Sequence, residues 1–169
     1  MKKSLIILFL LGIVSPVLGQ VTSPEELKEV ELVAVNYKYL DEVTKGEVAV
    51  PVKLLQEKVA RFDLKNSEYY QDDYDYYEVT FYIPEGTILA AYDKDGKLLR
   101  TVERFKNVGM PSAVNEAIKA RYPDYAVASD VYLVNYRDSK GLERRNYKLK
   151  LENSTDKLRV KVDEQGNFL

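Results

Sequence analysis

Two parts of the chain alternate apolar and polar residues with a period of two. Tyr77, Val79, Phe81 and Ile83 fall on one side, and Tyr76, Glu78, Thr80 and Tyr82 on the other. Further on, Tyr147, Leu149 and Leu151 alternate with Lys148 and Lys150, and Leu158, Val160 and Val162 with Arg159 and Lys161. This is the pattern of antiparallel strands with one face on a core and one in water. Tyr132, Val134 and Tyr136 also alternate, but periodicity alone leaves their face open. Two other stretches repeat at helical spacing, VPVKLLQEKVARFD from Val50 and MPSAVNEAIKARYPD from Met110. Leu55, Val59 and Phe62 share a face in the first; Val114, Ala117, Ile118 and Arg121 with Tyr122 do so in the second. Each has a proline at its start, where a missing N–H costs nothing. Before them, VELVAVNYKYL from Val30 reads as one more strand and Asp41 to Glu47 as a loop.

These elements recur. Pro51 and Ala60-Arg61-Phe62 reappear 60 residues later as Pro111 and Ala120-Arg121-Tyr122. The strands match at a spacing of 70: Tyr77 with Tyr147, Phe81 with Leu151, Ile88 with Leu158, Asp93 with Asp163, Gly96 with Gly166. A middle ten residues longer in the second copy, with a hairpin turning at Asp138 to Gly141, absorbs the difference. The fold expected is α+β: two tandem helix-plus-antiparallel-strand repeats forming one curved sheet with helices packed on one face. Repeat 1 spans 50–109 and repeat 2 spans 110–169, preceded by a segment with one strand over 20–49.

The first residues, MKKSLIILFLLGIVSPVLGQ, have a signal-peptide layout: Lys2 and Lys3, a short apolar run, Pro16, then a cleavage site after Gly19. Residues 1–19 are therefore expected to be removed, leaving an exported chain, periplasmic or secreted, with no membrane insertion after cleavage. Taking Lys2 and Lys3 from 25 basic residues leaves 23 against 27 acidic, a net of −4. Nucleic acid is not an expected partner of such a chain.

Histidine and cysteine are both absent. That excludes a Ser-His-Asp triad, cysteine nucleophiles, imidazole or thiolate zinc sites and histidine acid–base work near neutral pH. Ser154 and Lys157 have S-x-x-K spacing but lie in Asn153 to Asp156, which reads as a turn between strands. Asp93-Lys94-Asp95-Gly96 resembles the start of a calcium loop, but Val102 stands where the loop needs a glutamate, so a hairpin turn is expected. No cofactor and no metal are expected.

The oddest stretch is EYYQDDYDYYEVTFY, residues 68–82. Six of its fifteen residues are Tyr, and its first eleven carry five carboxylates and no cation. We read it as one strand of a sheet with an adhesive face. Asp73 and Asp75, alternate residues of that strand, would share a face, which is the one arrangement that favours a carboxylate-pair hydrolase; no cleft for it is apparent.

The helix ending in Tyr122-Pro123-Asp124, the closing Val162-Asp163-Glu164-Gln165-Gly166 turn, and Ala91-Tyr92-Asp93-Lys94-Asp95-Gly96-Lys97-Leu98-Leu99 in the first copy resemble the secreted PepSY-like family of Bacteroidota. The resemblance covers roughly residues 48 to 169. It implies tandem helix-plus-sheet units in an exported protein, with a fold similar to the beta-lactamase inhibitor protein and, by analogy, binding or inhibition of other proteins. Proteins of this appearance sometimes carry a nicotinate-nucleotide adenylyltransferase label. That chemistry does not suit a chain without His, a Gly-rich phosphate loop or a parallel α/β pattern.

The function expected is a non-enzymatic binding module. Its open, Tyr-rich sheet face, formed by Tyr76, Glu78, Tyr82, Lys148, Lys150, Arg159 and Lys161, would engage an unknown protein or peptide. Tyrosine offers a large contact area at small entropic cost. The alternatives are a structural or glycan-binding envelope component. The oligomeric state is left open.

Overall fold

The computed structural model describes residues 34–169. The signal peptide expected over 1–19 lies outside them, as does most of the segment before Tyr37. The described residues form an α+β fold with three helices and six strands. Helix α1 is Tyr37–Val43 and α2 is Val50–Arg61; strands β1 (Tyr76–Ile83), β2 (Gly86–Asp93) and β3 (Leu98–Lys106) follow. Helix α3 (Ser112–Arg121) then leads into β4 (Ala126–Arg137), β5 (Gly141–Glu152) and β6 (Lys157–Asp163). The strands lie side by side in chain order, every neighbouring pair antiparallel.

Local chemistry sets the turns. The β1–β2 hairpin closes through Ile83 opposite Gly86. Only glycine fits there, because a Cβ would drive into the Arg104 carbonyl and the Phe105 ring of β3. After β2, the Asp93 carboxylate accepts the N–H groups of Asp95 (2.9 Å) and Lys97 (3.0 Å). After β6, Asp163 accepts those of Gln165 (3.0 Å) and Asn167 (2.8 Å). Gly96 and Gly166, at φ +78° and +90°, complete the two turns. Asn153 likewise accepts the N–H groups of Thr155 and Asp156, so Ser154 and Lys157 sit in and beside a turn.

One face of the sheet carries the core. Tyr77, Phe81, Ile88, Tyr92, Phe105, Tyr132, Val134, Tyr147, Leu149 and Val162 are buried there with Tyr39 and Val43 of α1, Val52, Leu55 and Val59 of α2, and Val114 and Ile118 of α3. Tyr132, Val134 and Tyr136 thus belong to the core. Phe62, at the end of α2, meets Phe81 and Tyr92 ring to ring, and Tyr132 stacks on Tyr147 at 4.6 Å between centroids.

Two expectations need correction. Tyr37–Val43 is a helix, not the end of a strand, and Asp41, Glu42 and Val43 belong to it rather than to a loop. Tyr39 and Val43, four apart, enter the core together. The Arg145 guanidinium, far along the chain, donates to the carbonyls of Glu42 (3.1 Å), Val43 (2.6 Å) and Lys45 (2.6 Å) at the helix C-terminus. Packing and that cap override the β preference of Val and Tyr. Secondly, the strand read from Glu68 begins only at Tyr76. Residues 68–75 form a turn-rich segment in which Tyr70 stacks on Tyr77 and the Tyr77 hydroxyl donates to the Gln71 carbonyl. Asp73 and Asp75 therefore do not share a strand face.

Candidate sheet-face interaction site

Because the helices pack on one face, the other side chains of each strand point the opposite way. Tyr76, Glu78, Thr80 and Tyr82 of β1 are exposed, Tyr82 at 77%. Strand pairing extends this face across the sheet. Glu78 lies opposite Ala91, which lies opposite Arg100. Arg104 lies opposite Leu133, and Val131 opposite Lys148. Lys148 then faces Lys161, and Lys150 faces Arg159.

All seven expected residues are on this face, but the structure separates them into two groups. Tyr76, Glu78 and Tyr82 lie on β1, one edge strand; Lys148, Lys150, Arg159 and Lys161 lie on β5 and β6 at the other side. Five strand spacings of about 4.8 Å put roughly 24 Å between β1 and β6.

The first group is neutralised. Arg100 donates to Glu78 Oε1 at 3.0 Å and to the Tyr76 hydroxyl at 3.2 Å, and that hydroxyl donates to Glu78 at 2.9 Å. The Tyr76 hydroxyl and then Glu78 hold the Arg100 guanidinium above its ordinary pKa. The second group is not neutralised. Among the described residues, no carboxylate lies within ion-pair distance of Lys148, Lys150, Arg159, Lys161 or Arg104. Like charges directly opposite one another on adjacent strands destabilise a sheet, and here two such pairs stand side by side. They line a groove of about 670 Å³ with Arg104, Ser129 and Val131. Arg121 of α3, its guanidinium 4.4 Å from the Phe168 ring centre, borders the same groove. Beside Lys148 on β5, Asn146 is buried and its Oδ1 has no hydrogen-bond partner.

Sequence reasoning missed Arg104, Val131 and Arg100. The signal is present in the sequence, since Phe105 inward places Arg104 outward by period two. It also missed the charges on the core face. Glu103 is fully buried and accepts from Tyr39 (2.8 Å), Gln56 (2.8 Å) and Thr101 (3.0 Å). Burial pushes its carboxyl pKa up, and those donors pull against the rise. Arg145, besides capping α1, pairs with Glu164 at 2.6 Å.

Among the described residues there is no cluster of carboxylates placed to hold a metal ion, and no helix long and apolar enough to cross a membrane. No protein-family model matches the chain, and no curated protein matches it.

Proposed function

We propose that this chain is an exported, non-enzymatic binding module that engages another protein or peptide through the open face of its sheet. The observation that carries the reading is the set of Lys148, Lys150, Arg159 and Lys161, unneutralised among the described residues, on a face that none of the described helices covers. Paired like charges cost stability, and a partner's anions would relieve that cost. The exposed Tyr82 adds contact area on the same face.

The reading includes membership of the PepSY-like family and a tandem repeat. In its support, each long helix, α2 and α3, leads into antiparallel strands. The Asp93 and Asp163 turns, 70 apart, also use the same acceptor and the same two donor positions. In that alignment β1 corresponds to β5 and β2 to β6, so β4 is the longer middle of the second copy. The signal-peptide layout supports export. The lack of His and Cys, and the exposed, strandless setting of Asp73 and Asp75, favour binding over catalysis. Exposed tyrosines also favour a second reading, a glycan-binding envelope component.

The test is capture after crosslinking from an envelope extract, using residues 20–169 as bait, with mass spectrometric identification. One dominant protein, retained by the wild type and lost with Lys148→Glu/Lys161→Glu, is the expected result. Retention undiminished in that variant would remove the face from the function. Retention of polysaccharide and no protein would favour the second reading.

A further inference from the structure

A second block of charge is also left unmatched among the described residues. Glu68, Asp72, Asp73 and Asp75 are exposed, and among the described residues no cation lies within ion-pair distance of them. Tyr69 and Tyr74, between those carboxylates, are 61% and 54% exposed. The segment precedes β1 and is tied to the β2–β3 turn, where the Tyr70 hydroxyl donates to the Lys94 carbonyl at 3.1 Å.

The basic groove lies at the opposite corner of the sheet. Glu78, just after the acidic segment, is in the cross-strand row of Arg100. Lys148 is in the row of Val131 and Lys106, six residues further along β3 and two strands beyond it. A hydrogen-bonded sheet cannot fold one corner onto the other, so the two blocks cannot neutralise each other within one molecule. They can do so between molecules.

We propose that the acidic, tyrosine-bearing segment Glu68–Asp75 of one copy docks on the basic groove formed by Lys148, Lys150, Arg159 and Lys161 of a second copy, a head-to-tail contact. Carboxylates meet the facing cation pairs, and Tyr69 or Tyr74 covers Val131 on the groove floor. The two surfaces differ, so the contact is heterologous and each addition leaves one groove and one acidic segment free. Since it is built on exposed charge, it is salt-sensitive. It uses the face assigned above to another protein, but it needs no other protein.

The experiment is sedimentation velocity on residues 20–169 over a wide concentration range, at about 0.02 M and about 0.5 M salt, where the screening length falls from roughly 20 Å to roughly 4 Å. The expected result is a weight-average mass that climbs with concentration at low salt, past a dimer, and returns to the monomer at high salt. Lys148→Gln/Lys161→Gln and Asp72→Asn/Asp73→Asn/Asp75→Asn change only surface side chains, and each alone should stay monomeric. Mixed together, each supplies the surface the other lacks, and they should form a one-to-one dimer that grows no further. A monomer under all conditions overturns the proposal. So does association that survives salt, or that persists in either variant alone, since the contact would then lie elsewhere, as along the open β1 edge. A chain that stays monomeric yet captures a protein through Lys148 and Lys161 removes this inference and leaves the binding-module reading intact. An associating chain that captures nothing does the reverse.

Discussion

The two faces of one sheet treat charge in opposite ways. Under the helices, Glu103 and Arg145 are buried and heavily partnered: three donors for the carboxylate, and Glu164 plus three helix-end carbonyls for the guanidinium. On the open side, Lys148 faces Lys161 and Lys150 faces Arg159 with no carboxylate in reach among the described residues. Burial makes an unmatched charge costly, and Glu103 and Arg145 offset that cost with their partners; Asp130, buried on the same face, has no cation within ion-pair distance among the described residues and leaves its Oδ1 without a partner. Water tolerates an unmatched charge at small cost, so the open face was free to hold charge for something outside the molecule.

The largest effect is expected at Arg145. Arg145→Ala would leave Glu164 unpaired and the end of α1 uncapped. We expect a loss of about 3 kcal/mol in urea unfolding, the low end for a broken buried pair because Glu164 keeps contact with water. A loss below about 1 kcal/mol would mean that the buried ions are not the structural ones.

Glu103 gives the next effect. Burial holds its folded pKa above the ordinary carboxyl value. The folded chain therefore keeps this proton to a higher pH than the unfolded chain does. Its contribution to stability is complete below the unfolded carboxyl pKa and is lost as pH rises through the folded one. Glu103→Gln has no such titration, so the stability of the wild type relative to this variant should fall as pH rises from the acid side. A difference that is flat or grows with pH would show that the donors outweigh burial.

On the open face the effect should be smaller and of opposite sign. Lys161→Glu turns the Lys148 pair from repulsive to attractive and should stabilise the fold by about 0.2–1 kcal/mol in thermal or urea unfolding. A destabilising result would mean that Lys161 has a structural role its surroundings do not reveal. The smallest effect is expected at the neutralised end of the same face. Arg100→Met removes an exposed pair with Glu78 and should cost less than about 1 kcal/mol.

Much of the local structure was legible in the sequence. Period two placed Tyr77, Val79 and Phe81 inward and Lys148 outward, and helical period with Pro51 and Pro111 located α2 and α3. The misreadings have a common cause. Helix α1 draws its stability from Tyr39 and Val43 entering the core and from a cap supplied by Arg145, 102 residues beyond Val43. Segment 68–75 is turned back by Tyr70 stacking on Tyr77. The Arg145 cap and the Tyr70–Tyr77 stacking leave no mark in the local pattern of apolar residues, and the i, i+4 spacing of Tyr39 and Val43 is hidden in a run rich in Val and Tyr. The candidate face was legible in its members but not in its layout, because alternation assigns a side to each residue and says nothing of which strand lies beside which.

The sequence by itself determined helices α2 and α3, the inward and outward sides of β1, β5 and β6, the turns at Asp93, Asp138 and Asp163, and the absence of histidine and cysteine chemistry, since these depend on residue type and near spacing. Only the tertiary structure decided that Lys148 meets Lys161, that Arg100 silences Glu78, that Glu103 lies buried among three donors, and that the acidic segment and the basic groove occupy opposite corners. Those facts follow from strand order and register, which arise from pairing between residues far apart in the chain and not from the pattern along any one stretch.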